Sequence, residues 1–154
     1  MAPLAAFALS APAFALDVPF TGVIDNPDFC LIQVVRPGTL GQNSSGSQLS
    51  SYNPGGESGQ AIVRSFGFGY QLQALHSNVW NTSPIADNQQ TTFTPFFSGT
   101  PGFRGLSFPD RPGTQAVTLP FFSRTDIDVN LIATHNGGGF PSGNYTTDVI
   151  LLCD

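Results

Sequence analysis

Apolar and polar residues alternate with a period of two in several short runs of this chain. In 69–76, Tyr70, Leu72 and Ala74 fall on one side, with Gln71, Gln73 and Leu75 on the other. In 125–131, Ile127, Val129 and Leu131 oppose Asp126, Asp128 and Asn130. Successive side chains of a strand point to opposite faces, so this pattern predicts antiparallel strands with one buried face. Runs rich in β-branched and aromatic residues predict further strands over 17–24, 29–36, 60–66, 91–97, 115–122 and 144–152. The strand of 69–76 and a run over 125–134 complete the set. Clusters of Gly, Pro, Asn and Ser separate them, and residues 37–59 and 98–114 read as long linkers. About eight strands with turn-rich spacers predict an all-β, antiparallel β-sandwich of about 7–8 strands.

Composition narrows the class. The 154 residues include 5 basic side chains, all Arg, against 10 acidic ones, for a net charge of −5. No basic patch accompanies that charge, which argues against nucleic acid or an anionic membrane as partner. With 40% apolar residues the chain is too hydrophobic to stay disordered. A single Glu and no Lys remove the usual surface helix formers.

The N-terminus speaks to compartment. Residues 2–15 form a short apolar, alanine-rich run ending in Ala13-Phe14-Ala15, with Leu16-Asp17 after it. Small residues at these positions match a signal-peptidase site, although the basic residue that usually opens such a peptide is missing. The run is too short to span a bilayer, so no membrane span is expected in the mature chain. Residues 1–15 therefore read as a signal peptide with a shortened n-region, and 16–154 as a single domain that is secreted or held at the cell surface. Two cysteines, Cys30 and Cys153, read in an exported protein as one disulfide between an early strand and the last. Closing so long a loop is worth roughly 4–5 kcal/mol in the chain-entropy model.

Catalytic chemistry finds little footing. Gly56-Glu57-Ser58-Gly59 has the wrong spacing for a nucleophile elbow. His76 and His135 could pair with Asp126 or Asp128, yet no spacing fixes such a geometry. Asp126 and Asp128 read as a solvent-facing edge of a strand, not as a glycosidase pair. The Asp126-x-Asp128-x-Asn130 run resembles the start of a calcium loop without its Gly and distal Glu. Cys30, Cys153, His76 and His135 lack zinc-ligand spacing. The glycine runs Gly67-Phe68-Gly69 and Gly137-Gly138-Gly139 lead into no helix and read as tight turns. Asn43, Asn81 and Asn144 each open a glycosylation sequon. The chain is therefore expected to be no enzyme and to use no cofactor or metal. Trp80, Tyr70, Tyr52 and Tyr145 offer rings on which a sugar could stack.

The C-terminal run Phe140-Pro141-Ser142-Gly143-Asn144-Tyr145-Thr146-Thr147-Asp148-Val149 resembles the ending of bacterial fimbrial subunits and spore coat protein U-like domains. Phe29-Cys30-Leu31-Ile32 followed by Gly38-Thr39-Leu40 is similar to their cysteine strand and the turn after it. The resemblance covers the two ends of the chain. It implies an immunoglobulin-like sandwich whose Pro141 and Gly143 turn leads into the last strand. It further implies a structural subunit of a surface fibre or coat, with its own copies or other subunits as partners. Fimbrial subunits place their disulfide between early strands and lack a final strand that a neighbour donates. Here Cys153 lies on the last strand, so a domain that closes on itself and needs no donor is also expected. The other reading is a secreted sandwich module that binds carbohydrate through aromatics in 77–112.

Overall fold

A computed structural model describes residues 28–84 and 90–154. The strands are β1 Phe29–Arg36, β2 Gly41–Gln42, β3 Gln48–Ser50, β4 Gly59–Phe66 and β5 Gln71–His76. After them come β6 Thr91–Pro101, β7 Phe108–Pro112, β8 Val117–Thr118, β9 Ser123–His135 and β10 Val149–Cys153. No α-helix occurs among the described residues.

The thirteen-residue β9 is the spine of the larger sheet. On one side it pairs with β6 from Thr125↔Pro101 to His135↔Thr91. On the other side it serves two partners in turn, β4 along Ser123–Val129 and β3 along Ile132–Thr134. The handover leaves Asn130 and Leu131 without a ladder partner on that side, and Ser51 fills the gap. Its N–H donates to the Leu131 carbonyl at 3.1 Å, and its Oγ accepts the Leu131 N–H at 3.2 Å. Asn130 is buried there, its Oδ1 accepting from Ser51 Oγ at 2.8 Å and Ser58 Oγ at 2.6 Å. Backbone groups at a strand junction need partners as much as those within a ladder; Ser51 supplies them to Leu131, and Ser58 joins it on the Asn130 side chain.

With β1 beside β4, β2 beside β3 and β7 beside β6, the larger sheet has seven strands. The second sheet has three, in the order β10-β5-β8. All pairings are antiparallel. The two sheets pack through the alternating positions read from the sequence. Val63 of β4, Phe97 of β6 and Ile127 of β9 meet Leu72 and Ala74 of β5 in one buried cluster. A second cluster gathers Trp80, Phe93, Leu131 and Ala133. At Gly99 a Cβ would lie 2.2 Å from the Phe108 ring, so a side chain there would displace Phe108 from the core.

The expected all-β antiparallel sandwich is present, with ten strands among the described residues where about eight were expected for the chain. The linkers account for much of the difference, since 37–59 contains β2 and β3 and 98–114 contains β7. The 91–97 run extends to Pro101, whereas 115–122 keeps only Val117–Thr118 before Pro120. The run over 17–24 and the signal-peptide segment lie outside the described residues.

Phe97 is fully buried with its ring against Phe108, whereas Leu152 on β10 faces out. Phe97→Ala should cost about 3–5 kcal/mol in urea unfolding, and Leu152→Ala within about 0.5 kcal/mol of nothing. Equal midpoints for the two variants would contradict this assignment of the core.

Candidate interaction site between the two sheets

Three strands cover only part of the inner face that seven present. The shortfall falls at β1. Cys30, Ile32 and Val34 share its inward side; Cys30 and Ile32 pack against the core, yet Val34 is 73% exposed. Beside it lies an open groove of about 800 Å³, with Ile32 and Val34 on one wall and Val149 and Leu151 on the other. Val129 and Leu131 contribute to its lining, as does Leu40. Arg36 and Glu57 also line it, 3.7 Å apart. The expectation that the last strand closes the domain is therefore met only in part. β10 pairs with β5 but leaves the inner face of β1 open beyond Ile32.

Cys30 and Cys153 are bonded to each other, with Cα atoms 6.3 Å apart. Cys30 lies on β1 of the larger sheet and Cys153 on β10 of the smaller, so the bond ties two strands that share no ladder. The bond is compatible with an extracellular or periplasmic setting.

Among the described residues, β1 pairs with β4 alone and β10 with β5 alone. These two edges differ from the rest. β7 carries Pro109, Asp110 and Pro112, while β2 and β8 are two residues long. Proline, charge and brevity are the means by which sheets discourage further pairing. β1 has eight residues and β10 five; neither contains a proline, and Arg36 is the one charged residue in either. Their outward sides are apolar as well, with Leu31, Val35, Ile150 and Leu152 exposed. The nearly unbroken run Leu31-Ile32-Gln33-Val34-Val35 is the sequence signal for this. A half-buried strand alternates, and one that is apolar on both faces does not.

The residues considered for catalysis or metal binding stand apart. Asp126 and Asp128 lie on the outer face of β9, which is paired on both sides and so is no edge. Arg124 Nη2 meets Asp126 at 3.1 Å, and Gln60 Nε2 donates to Asp128 at 3.1 Å. Asn130, third in the calcium-like run, is committed to Ser51 and Ser58. Ser58 of the Gly56–Gly59 segment is accordingly a hydrogen-bond donor within the fold. Among the described residues no three His, Cys, Asp or Glu gather as metal ligands. No helix among them is long and apolar enough to cross a membrane. His135 turns its Nδ1 to the Gly138 carbonyl at 3.2 Å.

The aromatics divide in an unexpected way. Trp80 is buried in the second core cluster, its ring edge-on to Phe93, Phe140 and Tyr145, and offers no open face for a sugar. Tyr145 Oη donates to the Pro141 carbonyl at 2.7 Å, which pins the turn before β10. Tyr52 donates to Asp110, and partial burial together with that carboxylate raises its pKa well above the ordinary tyrosine value.

His76 stacks on Phe93, centroid to centroid 4.1 Å. Its Nδ1 accepts the Asn78 N–H at 2.8 Å, so the neutral ring carries its proton on Nε2 and donates to Thr147 Oγ1 at 2.7 Å. Thr147 in turn donates to the Val79 carbonyl at 2.9 Å. Burial lowers the His76 pKa below 6.5, and the Asp148 charge offsets only part of that. A depressed histidine favours the unfolded chain wherever that chain alone is protonated. Stability should thus fall as pH drops from about 6.5 toward the lower folded value. His76→Gln should flatten this part of a plot of urea midpoint against pH. Parallel curves for the two proteins would show that His76 is not the group responsible.

Comparison of the chain with protein-family models, with curated proteins and with solved structures finds no match.

Proposed function

We propose that the protein is an exported, non-enzymatic structural subunit of a bacterial surface fibre or coat, and that it associates through strand edges. The observation that carries this reading is the pairing of two unprotected edges, β1 and β10, with the apolar groove between them. A soluble protein that functions alone gains nothing from leaving Val34 in water and its longest edge strand without proline or lysine. An incoming strand would gain main-chain hydrogen bonds from the β1 edge and pockets for alternate side chains from the groove, which is the physics of strand addition.

Residues 16–24 of a neighbouring copy supply the proposed strand. Their sequence places Leu16, Val18, Phe20, Gly22 and Ile24 on one parity, with Asp17, Pro19, Thr21 and Val23 on the other. The similarity of the chain ends to fimbrial and spore coat U-like subunits supports the same reading, as does a disulfide suited to life outside the cytoplasm. A surface rich in amides and hydroxyls with no lysine suits a coat exposed to solvent and proteases.

Val34→Lys tests the proposal, because a lysine there protects the edge and puts a charge in the groove at little cost to the isolated domain. Wild-type protein is expected to form oligomers that grow with concentration in sedimentation velocity. The variant should lose the larger species while its thermal unfolding is unchanged. Oligomers of the same size distribution in Val34→Lys would sink the strand-edge reading.

A further inference from the structure

At one end of the sandwich six phenylalanines form a connected group of rings, at or near the surface. Phe29 stacks on Phe66 at 5.8 Å, and Phe66 meets Phe121 at 5.3 Å and Phe122 at 5.5 Å. Phe68 stacks on Phe121 at 4.6 Å, and Phe103 lies edge-on to Phe122 at 5.6 Å. None of the six is among the buried core residues, and Phe68 is 84% exposed.

The backbone is arranged to hold these rings outward. Phe68 is the apex of the turn from β4 to β5, between Gly67 at φ +146° and Gly69 at φ +85°. At Gly67 a Cβ would lie 2.9 Å from both the Asp28 carboxyl carbon and the Tyr70 ring, so the turn demands glycine there. Phe122 is itself left-handed at φ +47°, as is Arg104 at φ +50°, next to Phe103. A left-handed non-glycine residue is strained and persists where the surroundings, or a function, hold it. Of the three such residues among those described, two are at this patch.

We propose that this phenyl face binds a second copy of the chain across a two-fold axis. Three features select that occupant. Phenyl rings carry no hydrogen-bonding group, so the partner surface must itself be apolar, and the same patch on a second copy meets that need. The five exposed rings leave roughly 500–600 Å² open, taking about 200 Å² for each whole side chain. That is at the upper end of what a monomer displays. Two such faces together bury about 1,000–1,200 Å², and a modest rim brings this to the size of a specific dimer interface. The rim is also compatible with itself. Asp28 beside Gly67 and Arg104 over the Phe103 ring at 5.4 Å bring charges of both signs to the edge of the patch, so each copy can set an opposite charge against the other.

This contact goes beyond strand addition and is separate from it. Strand addition joins unlike surfaces and propagates, whereas an isologous contact closes at two copies. A chain with both would pair its growing strands side by side.

Sedimentation velocity on the whole chain with its disulfide intact, from low to high micromolar, tests the proposal. The Val34→Lys background removes the propagating contact and isolates the symmetric one. In it, a monomer–dimer equilibrium is expected. Phe68→Ser, on an exposed turn, takes two rings out of a two-fold interface and should weaken the dimer about a hundredfold or more. Phe103→Ser, on a different turn, should do the same and guards against a local effect of either change. A dimer that survives both substitutions overturns the proposal. So does a monomer at every concentration, whatever covers the rings in it. Binding of the monomer to phosphatidylcholine vesicles that Phe68→Ser abolishes would assign the face to lipid and overturn it as well. Loss of the large oligomers in Val34→Lys with the dimer kept would leave both readings standing. A dimer lost in Phe68→Ser while large oligomers survive Val34→Lys would remove strand addition alone.

Discussion

Three strands cannot cover the inner face of a sheet built from seven, and much of this molecule follows from that mismatch. The larger sheet exists because β9 is long enough to pair with β6 along one side and with β4 and β3 in succession along the other. The smaller sheet is limited by β5, six residues long, with β10 on one flank and two residues of β8 on the other. Where the layers overlap, Leu72 and Ala74 are wholly buried against Phe97 and Ile127. Where they do not, the inward-facing Val34 meets solvent. Burying an aliphatic side chain of that size is worth about 1.5–3 kcal/mol, which is available to any strand that enters.

The disulfide sets how far this opening can extend. It joins the free edges of both sheets, 123 residues apart in sequence, at the end of β1 where the core is still closed. Without it, β10 would be held by one ladder and a few inward side chains. With it, β1 is fixed to β10 at Cys30, and the groove lies beside Ile32, Val34 and Arg36 of the same strand. The rigid end and the open end belong to the same strand, so β1 anchors the sandwich and also offers its edge.

Much of this was legible in the sequence. Alternation at 69–76 and 125–131 gave the inward faces, because a strand with one wet side must alternate, although Asn130 on the polar side is buried under Ser51 and Ser58. The cysteine pair was legible from compartment and parity. Three features were hidden. β2, β3 and β7 lie in stretches rich in Gly, Ser and Pro, and are held in the sheet by pairing, β3 with β9, β2 with β3 and β7 with β6, not by their own propensity. Trp80 sits in a polar run, Ser77-Asn78-Val79-Trp80-Asn81, and its burial depends on Phe93, Phe140 and Tyr145 arriving from distant segments. The phenylalanine face draws its six rings from four separate stretches of chain, and each ring by itself reads as a core residue. The groove could be suspected from β1, apolar on both faces, but its far wall is formed by β10, more than 100 residues later.

Amide hydrogen exchange along β1, compared in dilute and concentrated protein, tests the central claim most directly. If the open edge is where chains meet, the amides of Leu31–Val35 that point away from β4 should exchange readily when the protein is dilute and become protected as oligomers form, while β9 stays protected throughout. Exchange in β1 that is equally fast at both concentrations, with oligomers present, would contradict the account and place the contact elsewhere.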